Sequence, residues 1–127
     1  MPPPRSPLIV LVAGPYRSGT GDDPVQIAAN LRAMEEAALA LFRAGHLGIA
    51  GEWLALPLAR LAGSRAMGDG PWEEIFHPVA TRLARRCDAC LRIGGPSAGA
   101  DAMVTIFERA GRQVYRRIED VPPLLPG

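Results

Sequence analysis

The run Leu8-Ile9-Val10-Leu11-Val12-Ala13 decides the fold. It is continuously apolar and partly β-branched, the pattern of a strand buried on both faces rather than of one with a wet side. Such a strand belongs to a parallel sheet with helices above and below it. The run is far too short for a bilayer span or for the core of a signal peptide. A loop over residues 14–23 follows it. Beyond that loop, Ile27, Leu31, Met34, Ala38, Leu41 and Phe42 recur at helical spacing, and Gly45 closes the pattern.

The alternation repeats along the chain. Residues 46–50, "HLGIA", read as a second, shorter strand, with "GEW" at 51–53 as its loop and a helix over 54–61. Residues 63–70 read as a surface loop. Pro71 suits the first turn of a helix that runs to about residue 86, with Ile75, Phe76, Val79 and Leu83 toward the core. A third strand over 89–93, a glycine-rich turn, a helix over 99–110 and a fourth strand over 113–115 complete the series. Strand–helix units joined by right-handed crossovers predict an α/β fold, a single-domain parallel sheet flanked by helices on both faces. Residues 1–7, "MPPPRSP", read as a flexible N-terminal tail, 8–120 as the domain and 121–127 as a Pro-rich C-terminal tail.

A length of 127 residues with 48% apolar content supports one core. The formal net charge of +1 gives no electrostatic reason to expect nucleic acid or an anionic membrane as partner. All 14 basic residues are arginine, so Schiff-base lysine chemistry is excluded and any basic phosphate contact falls to a guanidinium. A cytoplasmic protein is the simplest expectation. Cys87 and Cys90 have the spacing of a redox pair, but they end a helical pattern instead of starting one, where a helix dipole lowers a thiol pKa. One such pair and two scattered histidines do not make a zinc site. Both cysteines are expected to be small buried residues, with no metal and no cofactor, and a thiol redox domain is the least favoured function.

In an open parallel sheet, ligands lie outside the carboxyl ends of the strands, which selects residues 14–23, 51–53 and 94–101. In "AGPYRSGTGDD", residues 13–23, Gly14 lets the backbone approach a ligand and Pro15 stiffens the turn. Tyr16 can stack on a base or bond a sugar, and Arg17 and Ser18 suit a phosphate. An ordinary polar loop has the same composition, and neither the Walker lysine nor the dinucleotide glycine spacing is present. In "GGPSAGADAM", residues 94–103, Ser97 and the helix start at Gly99 and Ala100 form an anion seat. Among the acids, Glu52 follows the second strand and can face the cleft, and Asp101 sits near a helix start, where the dipole favours a carboxylate. Asp69, Glu73 and Glu74 read as surface or helix-start residues. His77 is a candidate ligand contact, whereas His46 begins a strand at the end of the sheet away from the site.

"LVAGPYRSG" at 11–19, "AGHLGIA" at 44–50, "RRCDACLRIGG" at 85–95 and "PSAGADAMVTIFERAGRQVY" at 96–115 together resemble the nucleoside 2-deoxyribosyltransferase-like superfamily, over about residues 8–117. That group includes the deoxyribosyltransferases and the nucleoside 5′-monophosphate N-glycosidases. The resemblance implies a flavodoxin-like sheet, a homodimer, and a nucleoside or nucleoside 5′-monophosphate as ligand. It implies cleavage of the N-glycosidic bond by a glutamate nucleophile. It assigns Gly14, Pro15 and Tyr16 to the first ligand loop, and Arg17 and Ser97 to the 5′-phosphate. Counting forward from Ser97 and back from Gly111 both put the nucleophile's position at Met103, and counting back from Asp88 puts a second carboxylate's position at Ala80. A thioether can neither form a hydrolysable glycosyl ester nor stabilise an oxocarbenium ion as a carboxylate does. Two functions stay open: an N-glycosidase or transferase in which Glu52 or Asp101 substitutes, or a non-catalytic nucleotide sensor or partner subunit.

Overall fold

The computed structural model describes residues 4–126. Strands β1 (Ile9–Ala13), β2 (Leu47–Ile49), β3 (Ala89–Arg92) and β4 (Gln113–Tyr115) form one sheet in the order β2-β1-β3-β4, with every neighbouring pair parallel. Helix α1 (Pro24–Arg43) joins β1 to β2, and α4 (Ala98–Arg109) joins β3 to β4. Between β2 and β3 run α2 (Gly51–Leu61) and α3 (Gly70–Ala84). The architecture is α/β with an all-parallel sheet, compatible with a single-domain Rossmann- or flavodoxin-like fold.

The continuous apolar runs work because successive side chains leave a strand on opposite faces. Val10, Val12, Ala89 and Leu91 pack with Met34 and Leu41 of α1. Leu11, Ala13 and Cys90 pack with Ala84 of α3 and Met103, Val104 and Phe107 of α4. The β1-to-β2 crossover moves one way along the sheet and the later crossovers move the other. Right-handed connections therefore put α1 on one face and α2 to α4 on the opposite one. The reversal between β1 and β3 opens a crevice at their carboxyl ends.

Local chemistry sets the helix ends. Asp23 and Asp69 cap α1 and α3, accepting from the Val25 and Trp72 amides at 3.0 Å each, and a proline follows in the first turn of both helices. Gly45 leaves α1 at φ 97°, which only glycine adopts at little cost.

Residues 51–53 depart from the expected loop, because α2 starts directly at Gly51. A Cβ at Gly51 would sit 3.4 Å from the Ala80 Cβ, so this glycine marks close packing of α2 on α3 and not a turn. Phe42, one of the apolar positions at helical spacing, is 67% exposed. Consecutive helical residues point about 100° apart, so one of Leu41 and Phe42 can face the sheet, and Leu41 does. The Pro-rich segment after residue 120 is docked: Val121 is buried and the Leu124 amide donates to the Ala44 carbonyl at 2.8 Å. Of the expected N-terminal tail, residues 1–3 lie outside the described residues, and the Pro4 carbonyl accepts from the Leu125 amide at 3.0 Å. His46 is buried away from the crevice. Its Nδ1 accepts from the Leu8 amide at 3.0 Å, so Nε2 carries the proton that it donates to the Pro122 carbonyl at 2.7 Å.

Candidate functional site

The loops after β1 and β3 meet over the crevice. A Cβ on Gly14 would lie 2.8 Å from Ile93 Cγ1, and one on Gly94, at φ 76°, would lie 2.7 Å from Pro15 Cδ. Each glycine admits the other loop. The β1 loop is further fixed by the Asn30 side-chain amide, which donates to the Tyr16 carbonyl at 2.9 Å, and by Thr20, whose hydroxyl donates to the Arg17 carbonyl at 2.6 Å. Pro15 therefore holds the loop without lining the cavity beneath it.

That cavity has a volume of about 270 Å³. Gly14, Tyr16, Arg17, Ser18, Ser97, Gly99 and Ala100, all selected from the sequence, line it together with Glu52 and Met103. Ser97 is buried, caps α4 by accepting from the Ala100 amide at 3.2 Å, and accepts from the Ser18 hydroxyl at 3.4 Å. With the Ala100 amide so engaged, the preceding amides of the first turn are the donors left to a ligand. Arg17 lies at the rim, where its Nε donates to Asp22 at 2.9 Å in an exposed ion pair. Its Nη1 is so near Gly68 that a Cβ there would sit 2.8 Å away.

The opposite wall is aromatic. Trp72 and Phe76 stack with ring centroids 3.6 Å apart and planes 11° apart, and Tyr16 lies 6.0 Å from each. Phe76, expected in the core, is thus part of the site. Sequence reading missed Trp72 altogether, because the first turn of α3 is aimed by tertiary packing. Periodicity alone gives no signal for it.

Glu52, in the first turn of α2, is the cavity's perturbed carboxyl. Burial pushes its pKa up, and only a bond from its own backbone amide opposes that shift. The ion pairs among the described residues do not include it. The Tyr16 hydroxyl is raised as well, first by burial and then by the charge of Glu52. Glu73 and the exposed His77 share the lining, whereas Glu74 and Asp69 do not. Asp69 instead ties residues 64–72 together through the Arg65, Ala66 and Trp72 amides and the Ser64 hydroxyl.

Asp101 is directed elsewhere. Its carboxylate accepts from Arg92 Nε at 3.1 Å, and Arg92 also donates to the Gly95 carbonyl at 2.9 Å and to the Ile93 carbonyl. Arg92 is a buried strut that pins the turn carrying Ser97. A charged residue inside an apolar strand, with an acid on the next helix, was the available signal. Met103 lines the cavity from within the core cluster, and Ala80 lines it from α3, so the two positions assigned to carboxylates by resemblance face one space. Cys87 and Cys90 are free and buried, and burial pushes their thiols up to about 11 and about 12. Among the described residues no group of three or more acidic, histidine or cysteine side chains is placed to hold a metal ion, and no helix is long and apolar enough to cross a membrane. No protein-family model matches the chain, and no curated protein matches it at a significant level.

Proposed function

We propose that the crevice binds a nucleoside 5′-monophosphate and that the chain does not carry out double displacement at the glycosidic bond. The observation that supports this most is the meeting of two unlike walls in one cavity: Ser97, Ser18 and the start of α4 suit a phosphate, and Tyr16, Trp72 and Phe76 suit a base. Small-molecule sites run from roughly 300 to 1,000 Å³, so the cavity suits a mononucleotide better than a dinucleotide. The same geometry fits the nucleoside 2-deoxyribosyltransferase-like resemblance, with Met103 and Ala80 at the positions of its carboxylates. A methionine and an alanine supply neither a nucleophile nor a general acid.

Glu52 carries the second reading. A carboxyl with a raised pKa in a cleft is a candidate acid for protonating a leaving base, which makes a hydrolase without a covalent intermediate the alternative. Titration calorimetry with nucleosides and their 5′-monophosphates, run beside chromatography of released base, separates the two. Saturable binding without release, with release appearing in Met103→Glu, is the expected result. Release by the wild-type protein that is lost in Glu52→Gln establishes the hydrolase, and absence of all binding overturns both readings. The homodimer implied by the resemblance belongs to the same proposal: Leu54, Leu58 and Leu61 leave α2 with an exposed apolar stripe, and sedimentation of Leu58→Glu against wild type tests it.

A further inference from the structure

Glu52 stands out within the cavity because its position is built and its carboxylate, bonded by its own backbone amide, is in none of the ion pairs among the described residues. Ala50, extended at ψ 140°, delivers β2 straight into α2, and Gly51 seats the helix start on Ala80. Those contacts turn position 52 toward the crevice. The sheet order places Glu52 and Ser97 on opposite sides of β1, after β2 and β3 respectively. Two inter-strand steps of ~4.8 Å separate those strand ends by roughly 10 Å. An anion held at Ser97 therefore leaves the far end of the same ligand at Glu52, beside Tyr16. A ring that stacks on the aromatic wall presents its edge there.

An ionised carboxylate only accepts hydrogen bonds, and its two oxygens sit side by side. Half-buried and without an ion-pair partner, it gains most from a ligand that brings two adjacent N–H donors. The guanine edge does so through N1–H and the 2-amino group. Adenine and cytosine bring a donor beside an acceptor, and hypoxanthine and uracil an acceptor beside a donor. Adenine, cytosine and uracil leave one carboxylate oxygen facing a lone pair unless the carboxyl takes up a proton, and hypoxanthine seated as guanine would be leaves that oxygen facing C2–H.

We propose that Glu52 is the specificity-determining residue of the crevice and selects guanine nucleotides by pairing both carboxylate oxygens with N1–H and the 2-amino group. The inference rests on the mononucleotide reading above. Calorimetry on the wild-type protein with GMP, IMP, AMP and 1-methyl-GMP tests it, because IMP lacks only the 2-amino group and 1-methyl-GMP lacks only the N1 donor. GMP is expected to bind roughly 10-fold or more tighter than each of the others. In Glu52→Gln, whose amide opposes a donor to one of the guanine donors, that preference is expected to collapse to within about 3-fold, since roughly 10-fold is the whole of the bidentate advantage. Circular dichroism confirms that the variant is folded, and the 1-methyl-GMP comparison needs no variant. Equal binding of GMP and IMP to wild type, or a GMP preference that survives in Glu52→Gln, overturns the assignment while leaving the nucleotide reading in place. Failure of all four nucleotides to bind overturns that reading itself.

Discussion

Adjacent glycines at 94 and 95 should respond oppositely to the same substitution. Gly94 has φ 76°, and a Cβ there would sit 2.7 Å from Cδ and 2.9 Å from Cγ of Pro15. A Cβ on Gly95 would meet nothing within 4 Å. For Gly94→Ala the left-handed backbone costs about 1–2 kcal/mol. Overlap with a proline ring that cannot rotate away adds roughly 1–3 kcal/mol. The stiffer unfolded chain offsets about 0.4–1 kcal/mol. The net loss is about 3 kcal/mol, and with an unfolding entropy of about 2.1 cal/mol/K per residue a 127-residue chain should lose ~11 °C in Tm. Gly95→Ala should fall within about 0.5 kcal/mol of wild type, as surface substitutions usually do. Thermal and urea denaturation of the pair measure both values. Equal destabilisation of the two variants, or a stable Gly94→Ala, refutes the interlock between the β1 and β3 loops on which the cavity's shape depends.

Cys87 and Cys90 should resist a thiol reagent in the native protein at neutral pH and react once it is unfolded, because burial suppresses both thiolates; fast native labelling would show that the helix end is open. His46→Ala should lose about 3 kcal/mol in urea denaturation with an unchanged slope, since it strips partners from the Leu8 amide and the Pro122 carbonyl. A loss below about 1 kcal/mol would mean that water replaces the ring. The amides of Arg65 and Trp72 hold the Asp69 carboxyl at about 2. A carboxyl whose pKa is lowered on folding stabilises the fold above its unfolded value, near 3.9, and that stabilisation drains away as pH falls toward about 2. Asp69→Asn should therefore lower Tm at pH 7 and flatten the acid side of the profile, and a parallel profile would sink this assignment.

The β1 run, the 3.6-residue stripe of α1 and the loop glycines were legible as sequence because period and backbone permissiveness are local properties. From them follow the parallel sheet, the crevice at its carboxyl edge, and the presence there of Gly14, Tyr16, Arg17, Ser18 and Ser97, whereas Met103 was placed there by the resemblance alone. Other features were decided by tertiary contact. Leu41 and Phe42 have equal claims to the core until the sheet takes one of them. Gly51 looks like a turn until Ala80 closes on it, and Trp72 and Phe76 become a stacked wall once α3 lies over the crevice. Asp101 and Glu52 are both acids in a first helical turn, alike on paper. A buried guanidinium captures one of them, and burial without an ion-pair partner raises the proton affinity of the other. Which carboxyl is free to meet a ligand depends on distances across the sheet, and no spacing along the chain contains them.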